Sequence, residues 1–217
     1  MAAKLPTEKE CRALVERALG FARVDDASVS FAFDATSNTR FANNEITTSG
    51  ASESVQVVVS ATQDTRTGRV SLNEISAEAL ERAMQRAEEL ALLLPADPEF
   101  VGPLPPQKYL DIQAFDEATT RFGAAERLPG VRAVVEPAAR EGMNSSGFFS
   151  NGAGVQCIGN KAGNFGCYRS TRASFTATVR TADGTGSGWA EDAAWRVRDV
   201  DAADLAARSL RKARVER

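Results

Sequence analysis

Glycine and asparagine punctuate the stretch from Cys157 to Ala190 so closely that extended segments joined by tight turns are the structure it favours. Gly159-Asn160-Lys161-Ala162-Gly163-Asn164 and Gly184-Thr185-Gly186-Ser187-Gly188 are turn chemistry. Between them Ser174, Thr176 and Thr178 alternate with Phe175, Ala177 and Val179. A period of two, hydroxyls on one side and apolar groups on the other, describes strands with one face buried. The stretch reads as a half-buried antiparallel meander.

The same order of parts occurs earlier. Arg40-Phe41-Ala42-Asn43-Asn44 leads into a strand with Val55, Val57 and Val59 on one face, then a Gly68 turn, then a helix opening at Ile75-Ser76-Ala77-Glu78-Ala79-Leu80. After the later meander comes Val200-Asp201-Ala202-Ala203-Asp204-Leu205. In both openings a cap residue, Ser76 or Asp201, follows an apolar residue that can staple onto the leucine four positions after the cap. The chain therefore reads as a strand-meander-plus-helix unit used twice.

The remaining elements follow from local signals. Thr7-Glu8-Lys9-Glu10 is a capping box, and Cys11, Leu14, Val15, Ala18 and Leu19 form a helical stripe that stops at Gly20. Val29, Phe31 and Phe33 mark a first strand, which Thr36-Ser37-Asn38 is expected to turn back. Asn43-Asn44 reads as a left-handed turn rather than a ligand-reading pair. Glu53 to Ala61 reads as the longest strand, and Thr67-Gly68-Arg69 as the next reversal. A helix from Ser76 to Leu94 carries Leu80, Ala83, Met84, Ala87, Ala91 and Leu94 on one stripe and a solvated charged face, including Glu88-Glu89, opposite. Pro95, Pro98, Pro103, Pro105 and Pro106 make an extended connector, and Phe115 to about Gly142 is helical, its apolar stripe interrupted by Pro129-Gly130 and by Pro137, so that two short helices or one kinked helix are expected equally. The closing helix, from Asp201, has acids at its start and Arg208, Arg211, Lys212, Arg214 and Arg217 toward its end, complementing the helix dipole. No stop signal follows Ala213, so the chain is expected to be the front part of a longer protein. The fold class is α+β, with two antiparallel meander-plus-helix units in approximate duplication. The divisions are residues 1–94, a Pro-rich connector and helical segment over 95–142, and a second unit over 143–217.

Chemistry is bounded chiefly by an absence: none of the 217 residues is histidine, the usual zinc ligand and the usual general base near neutral pH. Cys11, Cys157 and Cys167 show no CxxC spacing and read as structural thiols. The glycines from Gly184 to Gly188 lack the following helix and lysine of a phosphate loop, and Thr185 stands where a nucleophile elbow around Ser187 requires glycine. Asp183, Glu191 and Asp192 have nothing to distinguish them from surface acids. No catalytic, cofactor-binding or metal residue can be named. A net charge of −3 without clustered bases argues against direct nucleic-acid binding. No apolar run is long enough for a membrane span or has the form of a signal peptide, so a cytoplasmic location is expected.

Several of these segments together resemble the amino-terminal half of the TldD/PmbA family, also called modulators of DNA gyrase. They are the Arg40-x-x-Asn43 strand start, the valine-rich strand, Ser76-Ala77-x-x-Leu80, Gly159-Asn160-Lys161-x-Gly163, and the run from Thr178 to Ala190. The resemblance extends from about Asp25 to Arg217. It implies a subunit of a cytoplasmic metallopeptidase assembly, a homodimer or heterodimer acting on small or unfolded peptides. In TldD-type members a His-Glu-x-x-x-His zinc site lies beyond the region covered here, while PmbA-type members lack it and serve as partner subunits. Zinc is thus expected in the complete protein or its partner and not on this chain, which would build cavity and interface. The alternative is a non-catalytic PmbA-type scaffold or a stand-alone interaction module. The polar-faced runs Ser54 to Ser60 and Ser174 to Thr178 are expected to offer a free edge to an extended peptide.

Overall fold

The computed structural model describes residues 5–214. Its elements are α1 (Glu8–Gly20), β1 (Asp26–Ala42), β2 (Glu45–Gln63), β3 (Arg66–Leu72), α2 (Ala77–Leu93), α3 (Glu117–Arg121), α4 (Ala124–Arg140), β4 (Asn144–Asn160), β5 (Phe165–Arg180), β6 (Ser187–Ala194) and α5 (Ala202–Ala213). Among the described residues, six strands form one antiparallel sheet in the order β3-β2-β1-β4-β5-β6. The two meanders meet where β1 pairs with β4.

That pairing is symmetric. Both strands are 17 residues long, and Ala35 lies opposite Ala153 at their middle. Continuing outward, Ala35 faces Glu53 of β2 and Ala153 faces Thr171 of β5. The row Glu53-Ala35-Ala153-Thr171 therefore straddles an approximate two-fold axis perpendicular to the sheet, and the expected duplication is present as two α-β-β-β-α halves.

The helices lie on the face that carries the odd-numbered residues of β1 and β4, where apolar side chains alternate inward. Two cores result. The first packs Cys11 and Val15 of α1 and Leu80 and Met84 of α2 onto Val29, Phe31, Val57, Val59 and Val155. The second packs Val131 and Val134 of α4 and Leu205 and Leu210 of α5 onto Phe41, Phe149, Phe175, Ala177 and Val179. Local signals set the helix starts: Thr7 and Glu10 form the capping box, Ser76 accepts from the Ala79 N–H, and Asp201 accepts from those of Ala203 and Asp204.

Three expectations need correction. Thr36-Ser37-Asn38 does not turn, because β1 is a central strand at that point, bonded to β2 and β4 on its two sides. The reversal falls at Asn43-Asn44, both in the left-handed region with φ of 52° and 63°. The second reversal is at Asp64-Thr65, likewise left-handed at 49° and 63°, and Gly68 lies inside β3. A Cβ there would be 1.9 Å from the Ala87 carbonyl oxygen, so this glycine lets α2 settle on the sheet. Finally, α4 runs through both Pro129 and Pro137, and Gly130 serves packing, since a Cβ there would meet the Phe149 ring at 2.9 Å.

The proline-rich connector acts as a strap. It leaves α2 beside the β2–β3 turn, where Asp97 N–H donates to the Thr65 carbonyl. It then crosses the helix-free face over Ser28, Ser30, Val58 and Ser60. Asn160 Nδ2 donates to the Leu104 carbonyl, and Gln107 N–H and Tyr109 OH both donate to Asn164 Oδ1. At the rim of β5, Thr171 N–H donates to the Ala114 carbonyl (2.8 Å), and the chain returns to the helix face as α3.

Candidate functional site

The turn and acidic residues singled out in the sequence each take a structural role. Asp183 lies in the β5–β6 turn and accepts from Thr181 Oγ1 (2.6 Å) and from Thr185 N–H (3.1 Å), which holds its carboxyl below the usual range. The neighbouring glycines seat α5. A Cβ on Gly188 would be 2.0 Å from the Ser209 carbonyl oxygen, and one on Gly186 would be 2.2 Å from that of Ala213. Close helix-on-sheet contact accounts for a run that superficially suggests a phosphate loop. Glu191 and Asp192 are neighbours on β6 and so point to opposite faces. Glu191 accepts from Ser174 Oγ, and Asp192 accepts from the Asp201 N–H at the start of α5.

Asn44 does more than turn the chain. Its Oδ1 accepts from Ser145 N–H and Oγ (both 2.7 Å), and its Nδ2 donates to the Met143 carbonyl, tying the first hairpin to the start of β4. Glu88 departs from the solvated-face reading. It accepts from the N–H groups of Arg23 (2.6 Å) and Val24 and so anchors the α1–β1 loop to α2, whereas Glu89 pairs with Arg86. Both border an open groove of about 810 Å3 lined also by Asp25, Asp26 and Asp64.

The three cysteines converge although their spacing gave no sign of it. Cys157 and Cys167 are directly opposed on β4 and β5, and Cys11 of α1 packs against them. Burial first, then the neighbouring Cys157 thiol, pushes Cys11 up to about 12. Burial and Cys11 push Cys167 to about 11, so the cluster is protonated thiol at neutral pH. No group of three metal-capable side chains forms among the described residues. The sequence supplies no histidine ligand either.

Nothing in the sequence singles out Arg127, a base on α4 that is only 1 % exposed. Its guanidinium donates to Thr39 Oγ1 (2.9 Å), Ser37 Oγ (2.8 Å), Asn151 Oδ1 and the carbonyls of Phe122 and Asn38. Neutral oxygens, not a carboxylate, thus receive its hydrogen bonds. Asn151 Nδ2 in turn donates to the Thr119 carbonyl. Burial lowers the Arg127 pKa from its ordinary value. This hub joins α3, α4, β1 and β4 between the two cores. It offers neither a nucleophile nor an acid–base pair.

Two further surfaces are open among the described residues. The helix-free face presents Ser146, Ser150, Gly152, Gly154, Thr176 and Thr178, with Phe148, Ile158, Tyr168 and Trp189 exposed among them. The other surface is an edge. β3 covers β2 only from Val57 to Gln63, so Glu45 to Gln56 have a strand neighbour on one side only. Of the two runs expected to receive a peptide, Ser54 to Gln56 lie on this edge. Residues 57–60 and 174–178 each lie between two strands and are closed to pairing, which corrects that part of the expectation.

Residues 27–91, from β1 to α2, match the family model described as PmbA/TldA metallopeptidase domain 1. No curated protein matches the sequence significantly. Among solved structures, TldE from Thermococcus kodakarensis superposes with a TM-score of 0.80 at 15% identity, covering 94% of this chain and 47% of that one. A protein of Thermotoga maritima described as a candidate modulator of a DNA gyrase gives 0.81 at 15% identity, with 94% and 47% covered. Its counterpart from Bacteroides thetaiotaomicron gives 0.73 at 16%, with 96% and 50% covered. The chain spans about half the length of these structures, with which it shares the fold.

Proposed function

We propose, for a chain whose β1 to α2 segment is that of the TldD/PmbA family, the role of amino-terminal domain in one subunit of a cytoplasmic zinc metallopeptidase assembly. The assembly would act on small or unfolded peptides, and this domain would line its cavity and build its subunit interface. The family match over residues 27–91 is the observation that carries the reading. The donor inventory agrees with a non-catalytic share of the work: without histidine, and with its thiols packed in a core, the chain leaves metal and water activation to residues elsewhere. The broad helix-free face, hydroxyl-rich with scattered aromatics, suits the wall of an enclosed space.

The test is made on the complete gene product with any natural partner subunit. Zinc content and cleavage of an unfolded peptide are measured with and without chelator, beside the 217-residue chain alone. Chelator-sensitive cleavage by the complete assembly and none by this chain is the expected result. Cleavage by this chain alone would overturn the assignment. A zinc-free, inactive complete protein that still binds a second subunit would make it the non-catalytic scaffold.

A further inference from the structure

The three thiols gathered in the first core have no part in the role proposed above, yet two of them are direct partners across neighbouring strands, Cys157 of β4 opposite Cys167 of β5. Hydrogen bonds at either end of that ladder fix the kind of pair they form. Thr171 donates its N–H to the Ala114 carbonyl, away from β4, so Thr171 and Ala153 share no hydrogen bonds. That state recurs at every second residue, at Arg169 with Val155 and then at Cys167 with Cys157. At the other end Asn160 donates its N–H to the Asn164 carbonyl, a hydrogen-bonded pair. Three steps along the ladder from it, Cys157 and Cys167 are again a non-hydrogen-bonded pair.

In such a pair the Cα atoms stand about 4.5 Å apart, with side chains close together on one face. A disulfide spans Cα separations of roughly 4.4–6.8 Å, so the two sulfurs can join without moving the strands. Both cysteines face α1, whose Cys11 packs on them. Exposure separates their roles. Cys11 and Cys157 are 0 % and 1 % exposed, whereas Cys167 is only partly buried and is the sulfur that a dissolved reagent meets first. Burial, Cys11 and Glu8 push its pKa up to about 11 against the pull of Arg169, while Arg12 lies over the nearby Phe165 ring.

We propose that Cys157 and Cys167 form a reversible cross-strand disulfide, a modification site for small dissolved disulfides that enter at Cys167. The Cys167 sulfur gives up its proton and attacks one sulfur of the reagent, whose other half leaves as a thiol. Cys157 then gives up its proton and attacks the Cys167 sulfur, releasing the remaining half. One reagent disulfide is reduced to two thiols, which carry away the two cysteine protons, and one protein disulfide forms. Excess small thiol drives the same exchange backwards. The link fastens β4 to β5 beneath α1, and it is independent of the peptidase reading, since no cleavage enters it.

The probe is hydroxyethyl disulfide, applied to the folded full chain, which is then acid-quenched and digested with trypsin without reduction. Cuts after Lys9, Arg12, Arg140, Lys161 and Arg169 place the cysteines in separate peptides, 10–12, 141–161 and 162–169. The expected product is 141–161 joined to 162–169, with one free thiol per chain in place of three. Its urea midpoint should be higher than that of the reduced chain, and a small thiol should restore the original. The rate should still climb roughly tenfold between about pH 9 and pH 10, where an ordinary thiol of pKa about 8.5 has levelled off. Cys167→Ser should leave Cys11 and Cys157 reduced, and Cys11→Ala should leave the link intact. Four results overturn the proposal: a lasting mixed disulfide on Cys167, a link through peptide 10–12, a rate that levels off by about pH 9, or three surviving thiols at a probe excess that oxidises the urea-unfolded chain.

Discussion

A methyl group on Gly188 would meet the Ser209 carbonyl oxygen at 2.0 Å, and backbone cannot move aside as a flexible side chain can. Gly188→Ala is expected to cost on the order of 2–3 kcal/mol by pushing α5 off β6. Gly20 has nothing within 4 Å of its missing Cβ, so Gly20→Ala should instead stabilise by about 0.4–1 kcal/mol. Urea midpoints of the two variants check both signs. Arg127→Met removes five hydrogen bonds inside the molecule, with Asn151 Oδ1 and the Asn38 carbonyl keeping donors in Ser37 and Ser49, and should cost roughly 3 kcal/mol. Arg127→Lys should recover less than half of that, since a single ammonium cannot fork to acceptors spread over several segments. Gly68, Gly186 and Gly188 were visible in the sequence but their purpose was not: the carbonyl that each one accommodates belongs to a helix that arrives later in the chain. Arg127 left no signal at all, because its hydroxyl and amide partners are individually unremarkable and come from distant strands.

Elements begin where local chemistry says they should and end where tertiary pairing decides. The caps at Thr7, Ser76 and Asp201 were readable because donor and acceptor lie within three residues of each other. The false turn at Thr36-Ser37-Asn38 arose because turn-forming residues were judged without β4, whose Asn151 meets Ser37 from 114 positions further along. The short helix α3 shows how a cap couples to pH. Asp116 accepts from Thr119 Oγ1 (2.7 Å) and N–H (2.8 Å), and these bonds lower its pKa below that of the unfolded chain. Its stabilisation is therefore fully present above the unfolded value of about 4 and is lost as pH falls through the lower native value. Asp116→Asn keeps a capping oxygen but not the charge. The stability gap between the wild type and this variant should be open at about pH 6 and close toward about pH 2, as read from urea titrations at each pH. A gap that stays constant would detach the cap from the charge.

At the scale of the molecule, two cores share the central strands β1 and β4, so neither half can lose its sheet without exposing the other. Leu80→Ala, which opens the first core, should cost about 2–4 kcal/mol. Both tryptophans, Trp189 and Trp195, lie in the second half. Their fluorescence transition should nevertheless move with the global one, whereas independently unfolding halves would leave it in place. The duplication could be read from the sequence because each half repeats the same order of local signals. The asymmetry of the rims could not, since it depends on the route of the strap through space. That route follows from connectivity. Two like halves arranged about a dyad possess two like margins, but a single polypeptide joining them has one joint, and one joint can hem one margin. If the halves were spliced in reverse order, with the same connector leading from α5 to α1, the hem would fall on β2 and β5 would be the side left unsewn.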